Sequence, residues 1–129
     1  MLETAVVIGA QGEALYWHLP AGRSAGALPD SRTLWSVLWS QRDSLQGVAH
    51  THPGRGTPRP SWTDLTTFAA CEDGLGERLR WWIATADRLR CFRWSGPSRY
   101  RYTPIPTNPA PGWLDQLRAH SHLNKEDAR

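Results

Sequence analysis

The chain has 129 residues, 40% of them hydrophobic, enough for one domain around a single core and too few for two. Its formal net charge is +3, and its 15 Lys and Arg residues, nearly all Arg, are scattered without a basic block. That dispersion speaks for solvated faces and carboxylate pairing and against a nucleic-acid-binding stripe.

No apolar run approaches the length of a membrane span, and Met1-Leu2-Glu3 carries an acid where a secretory signal would carry basic residues. The only two cysteines, Cys71 and Cys91, fall in a helical and a strand pattern. They read as small buried apolar residues of a reducing cytoplasm, and they could approach one another in the fold.

In chain order, residues 4–9 (Thr-Ala-Val-Val-Ile-Gly) form a β-branched run, Gln11-Gly12 signals a turn, and residues 14–19 form a second strand, so a β-hairpin opens the chain. Residues 20–29, rich in Gly, Ala, Ser and Pro, are a loop. Asp30 or Ser31 can cap a helix that runs to about Ser44, with Leu34, Trp35, Leu38 and Trp39 at helical spacing. Residues 46–52 then read as a strand ended by Pro53-Gly54. Ser61 starts a second helix through Leu65, Phe68, Ala69 and Glu72, and Gly74 is expected to stop it.

Residues 80–85 and 89–94 are strands on either side of an Ala86-Asp87-Arg88 turn, and residues 100–103 alternate as a further strand. A Pro-rich link over residues 104–111 leads to a short helix at 113–119 and a frayed end. Interleaved strands and helices predict a mixed α+β sandwich. Residues 1–112 form its body, and residues 113–129 are a C-terminal helix and tail of the same domain. The eight tryptophans read mainly as core and surface-patch filler, among them Trp35 and Trp39 on one helical face and Trp81-Trp82 in a strand.

The stretch that carries chemistry is Gly47-Val48-Ala49-His50-Thr51-His52-Pro53, followed by Ser61-Trp62-Thr63-Asp64. Side chains two apart on a strand share a face, so His50 and His52 can reach one ion while Thr51 points away. Asp64, in the first turn of a helix, adds a carboxylate held ionised by the positive end of the helix dipole. Two imidazoles and one carboxylate make an open zinc site. Ser61-x-x-Asp64 is also a capping-box variant, and the two roles are compatible.

Glu3 then His50-Thr51-His52-Pro53 then Ser61-Trp62-Thr63-Asp64 resembles the signature of the JAMM (MPN-plus, JAB) zinc metalloproteases, with one extra residue between His52 and Ser61. The resemblance covers most of the domain. It implies an MPN/JAB-like, cytidine-deaminase-like sandwich, one Zn2+ held by His50, His52 and Asp64, Glu3 as the acid/base and Ser61 as an oxyanion stabiliser. The implied activity is amide or isopeptide hydrolysis. The substrate would be the C-terminal tail of a bacterial ubiquitin-like or sulfur-carrier protein, or a short peptide, since no long insertion flanks the motif to grip a ubiquitin chain.

Glu3 heads the first strand and Glu13 sits at the hairpin turn at its far end. If that strand runs antiparallel to the histidine strand, its beginning lies beside the histidines, which favours Glu3 over Glu13. His120-Ser121-His122 repeats the His-x-His pattern in a helical context, where residues two apart do not face one another, so it is read as a decoy. Arg55 and Arg59, in the loop between the ligands, could meet an acidic peptide or serve only solubility. Two rival functions stand beside the hydrolase: a catalytically silent MPN-type scaffold, and a nucleic-acid or cofactor module built on the Trp and Arg content. The reading adopted has a protein or peptide partner, no nucleic acid and no membrane.

Overall fold

A strand made only of apolar residues and glycine, such as Ala5–Gly9, has no face to offer water and must be covered on both sides. The computed structural model, which describes residues 1–107 and 109–123, places this strand (β1) inside a six-stranded sheet. The chain continues through β2 (Ala14–His18), α1 (Arg32–Ser40), a 3-10 turn (Arg42–Ser44), β3 (Leu45–Thr51), α2 (Trp62–Leu75), β4 (Arg80–Ala84), β5 (Leu89–Trp94), β6 (Tyr102–Ile105) and α3 (Leu114–His120). The spatial order is β2-β1-β3-β4-β5-β6. β3 and β4 run parallel, joined through α2, and every other neighbouring pair is antiparallel. This is the mixed α+β arrangement that the interleaved patterns predict.

Strand alternation sorts the core into two layers. Ala5, Val7, Val48, Trp81, Ile83 and Phe92 face Leu38 of α1 and Phe68 of α2. Val6, Ile8, Ala49, Trp82 and Cys91 face Trp113, Leu114 and Leu117 at α3. Cys71 packs against the first layer and Cys91 lies in the second, so the sheet separates the two free thiols and they do not meet. Gly47 lets β3 and β4 approach: a Cβ there would lie 1.8 Å from the Arg80 carbonyl oxygen.

Several boundaries differ from the sequence expectation, each for a local reason. Ser31, not Asp30, caps α1, its hydroxyl accepting from the Leu34 N–H at 3.0 Å. That α-helix ends at Ser40, and the expected extension to Ser44 is a separate 3-10 turn. Gly74 does not stop α2. It sits within the helix because the Trp35 ring covers it, where a Cβ would come within 2.7 Å. The stop is Gly76, in the left-handed region at φ 73, whose N–H bonds the Glu72 carbonyl. β6 lies two residues later than expected and contains Pro104, tolerated because β6 is an edge strand. The expected frayed tail falls on residues 124–129, outside the described residues, whereas Ser121 and Leu123 are buried.

α2 is fixed at its far end by a buried carboxylate. Glu72 accepts from Arg78 Nη1 at 2.9 Å, the Leu79 N–H at 2.8 Å, the Trp81 indole N–H at 3.0 Å and the Tyr102 hydroxyl. Burial, reinforced by Glu72, pushes the Tyr102 phenol well above its ordinary value. One side chain thus ties α2, β4 and β6 together.

Candidate metal centre

Register carries the two histidines to the α2 side of the sheet. Val48 lies in the core beneath α2, so His50 and His52, two and four residues on, share that face. Thr51 points the opposite way, and its hydroxyl lies 2.9 Å from Ser121 Oγ. The His52 N–H bonds the Ala84 carbonyl at 2.9 Å, so the end of β3 is held just past the last ladder pair.

α2 delivers the third group. Ser61 caps the helix: its hydroxyl accepts from the Asp64 N–H at 3.0 Å, and Asp64 Oδ2 accepts from the Ser61 N–H at 2.9 Å. This reciprocal box locks the Asp64 carboxylate against the histidines. His52 Nε2 lies 2.9 Å from Asp64 Oδ2, His50 Nε2 lies 3.2 Å from Asp64 Oδ1, and the two Nε2 atoms are 3.1 Å apart. Capping and ligand geometry therefore coexist at Asp64.

The donor set fits a small divalent cation. With zinc–nitrogen and zinc–oxygen distances of about 2.0–2.2 Å, tetrahedral ligand atoms stand roughly 3.3 Å from one another. The observed separations are close to that edge length. Two imidazole nitrogens that face each other and one carboxylate need either a shared proton or a cation between them. Among the described residues this is the one cluster of three His, Cys, Asp or Glu side chains suited to an ion. Burial works against the Asp64 charge, yet the hydrogen bonds from His50, His52 and the Ser61 backbone outweigh it and hold the carboxyl far below its usual range.

Glu3 comes to the same place. β1 runs antiparallel to β3 with Ala5 opposite His50, and the Thr51 N–H bonds the Thr4 carbonyl at 3.1 Å beyond that pair, so the register brings Glu3 level with His52. The start of the chain is tied down: the Leu2 N–H bonds Ser121 O, the Glu3 N–H bonds Ser24 O, and Arg23 bonds the Glu3 carbonyl, Thr4 Oγ1 and the His120 carbonyl. Burial pushes the Glu3 carboxyl above its ordinary value, His50 and His52 pulling it down and Asp64 pushing it further up. Glu13 lies at the opposite end of β1, where its carbonyl accepts from the Gly9 N–H.

The loop between His52 and Ser61 is braced, not free. Gly54 and Gly56 take φ values of 86 and 95, and Gly56 is held through its N–H to Asp87 at 2.8 Å and its carbonyl to Thr85 Oγ1. Arg55 pairs with the same Asp87 at 3.6 Å, across to the β4–β5 turn, with about half of its side chain exposed; Arg59 is exposed. His120 ends α3 against Trp17, with ring centroids 4.9 Å apart, and Ser121 is buried, so the second His-x-His pattern belongs to helix packing.

His50, His52, Asp64, Glu3 and Ser61 open into one cleft of about 860 Å³ between the sheet, α1, α2 and the loop of residues 25–30. His18 also lines it, buried on β2 with Nε2 2.7 Å from the Pro29 carbonyl, where it holds that loop in place. Sequence patterning placed residues 20–29 in a loop and His18 in a strand, but it did not show that they line the cleft, since neither carries a motif. No protein-family model matches the chain, and no curated protein matches it.

Proposed function

We propose that the protein is a zinc-dependent amide or isopeptide hydrolase of the JAMM type, with an MPN/JAB-like fold, acting in the cytoplasm. The observation that carries this reading is the convergence of His50, His52 and Asp64 to mutual distances of 2.9–3.2 Å in a cleft that also holds Glu3 and Ser61. His50 Nε2, His52 Nε2 and an Asp64 oxygen would hold the ion. When bound, zinc supplies Lewis acidity that makes water ionisable near neutral pH and polarises a carbonyl.

The chain's own residues divide the remaining work. Glu3 would take the proton from the attacking water and hand it to the leaving amine, a task suited to a carboxyl raised above its ordinary value. Ser61 Oγ already accepts from the Asp64 N–H, so its own proton is left to donate to the developing oxyanion. The proposed substrate class is the C-terminal tail of a ubiquitin-like or sulfur-carrier protein, or a short peptide.

The test is hydrolysis of quenched-fluorescent tail peptides by zinc-loaded protein, with metal content measured in parallel. Glu3→Gln should keep stoichiometric zinc and lose turnover by roughly 100-fold or more. His52→Ala should lose both. Stoichiometric zinc without turnover would make the protein a silent scaffold, and a wild-type chain that binds no zinc would overturn the reading altogether.

A further inference from the structure

The cleft is larger than the metal centre needs, and the rest of it has a definite chemistry. Beyond Glu3 and the three candidate ligands it is lined by Leu28, Leu34, Trp35, Leu38, Phe68 and Cys71. Phe68 and Leu38 are buried, while Leu28, Leu34 and Cys71 are half-buried. The polar His18 spends its Nε2 on the Pro29 carbonyl. The charges that border the cleft, Glu3, Asp64 and Asp30, are all acidic. Among the described residues no Lys or Arg lines it, and Arg55 pairs with Asp87 at 3.6 Å.

We infer that this apolar end of the cleft is a specificity pocket, and that it seats an uncharged apolar side chain, of leucine or phenylalanine size, on a residue flanking the amide to be hydrolysed. The inference rests on the hydrolase reading and narrows its substrate class. Continuity with the metal centre names the occupant. A chain laid across His52, Asp64 and Ser61 brings the side chain beside its reacting carbonyl to the mouth of this pocket, and about 860 Å³ accommodates both. An acidic side chain there would be desolvated among apolar groups with no Lys or Arg to pair with, and glycine would leave the pocket unfilled.

Two measurements test it, one through turnover and one independent of it. The first is a panel of short peptides that differ only in the residue on either side of the scissile amide. Leu or Phe on one side should raise kcat/KM by roughly tenfold to a hundredfold over Gly, with Asp below Gly. Cys71→Trp, which fills the pocket, should abolish that preference at unchanged zinc content.

The second needs no catalysis. N-acetyl-leucinamide should slow alkylation of Cys71 by iodoacetamide while N-acetyl-glycinamide does not, with the buried Cys91 as internal reference. Protection without hydrolysis of any peptide would sink the hydrolase reading and leave the pocket standing. Hydrolysis with Gly or Asp peptides equal to Leu, together with no protection of Cys71, would overturn the pocket and spare the hydrolase.

Discussion

Asp64 answers to two demands at once, as partner in the helix capping box and as the proposed third ligand, and substitutions separate them. Asp64→Asn keeps an oxygen that can accept from the Ser61 N–H, so thermal unfolding should change little. Its zinc affinity should nonetheless fall by at least roughly 100-fold, beyond the cost of losing a merely supporting hydrogen bond. Ser61→Ala should do the reverse: it costs about 1 kcal/mol of stability through the lost cap and leaves zinc affinity nearly intact. Denaturant titration and competition with a chelator read the two quantities. His50, His52 and Asp64 were legible in the sequence because strand period and helix start fix which way each side chain leaves the backbone. The partners of Arg55 were not, since a loop has no period from which to read the Asp87 contact.

Cys71 offers a pH signature at the same scale. Burial, with Asp30 and Glu72 nearby, pushes its thiol from 9.0 up to about 11, so it stays neutral through pH 9. Alkylation of Cys71 should therefore keep rising about tenfold per pH unit through pH 10, where an ordinary thiol has levelled off near its own pKa. Because the folded value is raised, the associated stability is complete below pH 9 and is lost as pH climbs towards 11. A plateau near pH 9 would mean that Cys71 is open to solvent.

Among the elements, α2 carries the most consequence, since one end presents Asp64 and the other is anchored by Glu72. The anchor was read from sequence as one more position on a helical face. Four donors from outside the helix converge on it, and no local pattern announces that. Glu72→Ala leaves the Leu79 N–H, the Trp81 indole and the Tyr102 hydroxyl buried without a partner, and should cost about 3–5 kcal/mol. Tyr102→Phe removes a single donor and should cost no more than about 3 kcal/mol. Chemical denaturation of both variants orders them, and a Glu72→Ala protein as stable as the wild type would show the network to be dispensable. The misplaced helix stop has a related origin: Gly74 looks like a terminator until the Trp35 ring from α1 is seen to cover it.

For the whole molecule, the two-layer core makes α3 integral. Leu117 is fully buried, Trp113 packs edge-on to Trp82 at 5.5 Å, and Ser121 lies against Thr51, directly behind the histidines. A chain truncated after Gly112 uncovers one entire face of the sheet and should fail to yield soluble folded monomer, as size-exclusion chromatography and circular dichroism would report. No helix of the described residues is long and apolar enough to cross a membrane. By itself the sequence determined which segments are strands and helices, which residues could ligate a metal, and that Glu3 leads a buried strand, because these follow from short-range periodicity and side-chain chemistry. Only the tertiary structure decided that β1 lies antiparallel beside β3 with Glu3 level with His52, that the cysteines are parted by the sheet, and that an apolar cleft adjoins the centre. Those facts depend on strand register and on which helix covers which face, and both are set by contacts between residues far apart in the chain.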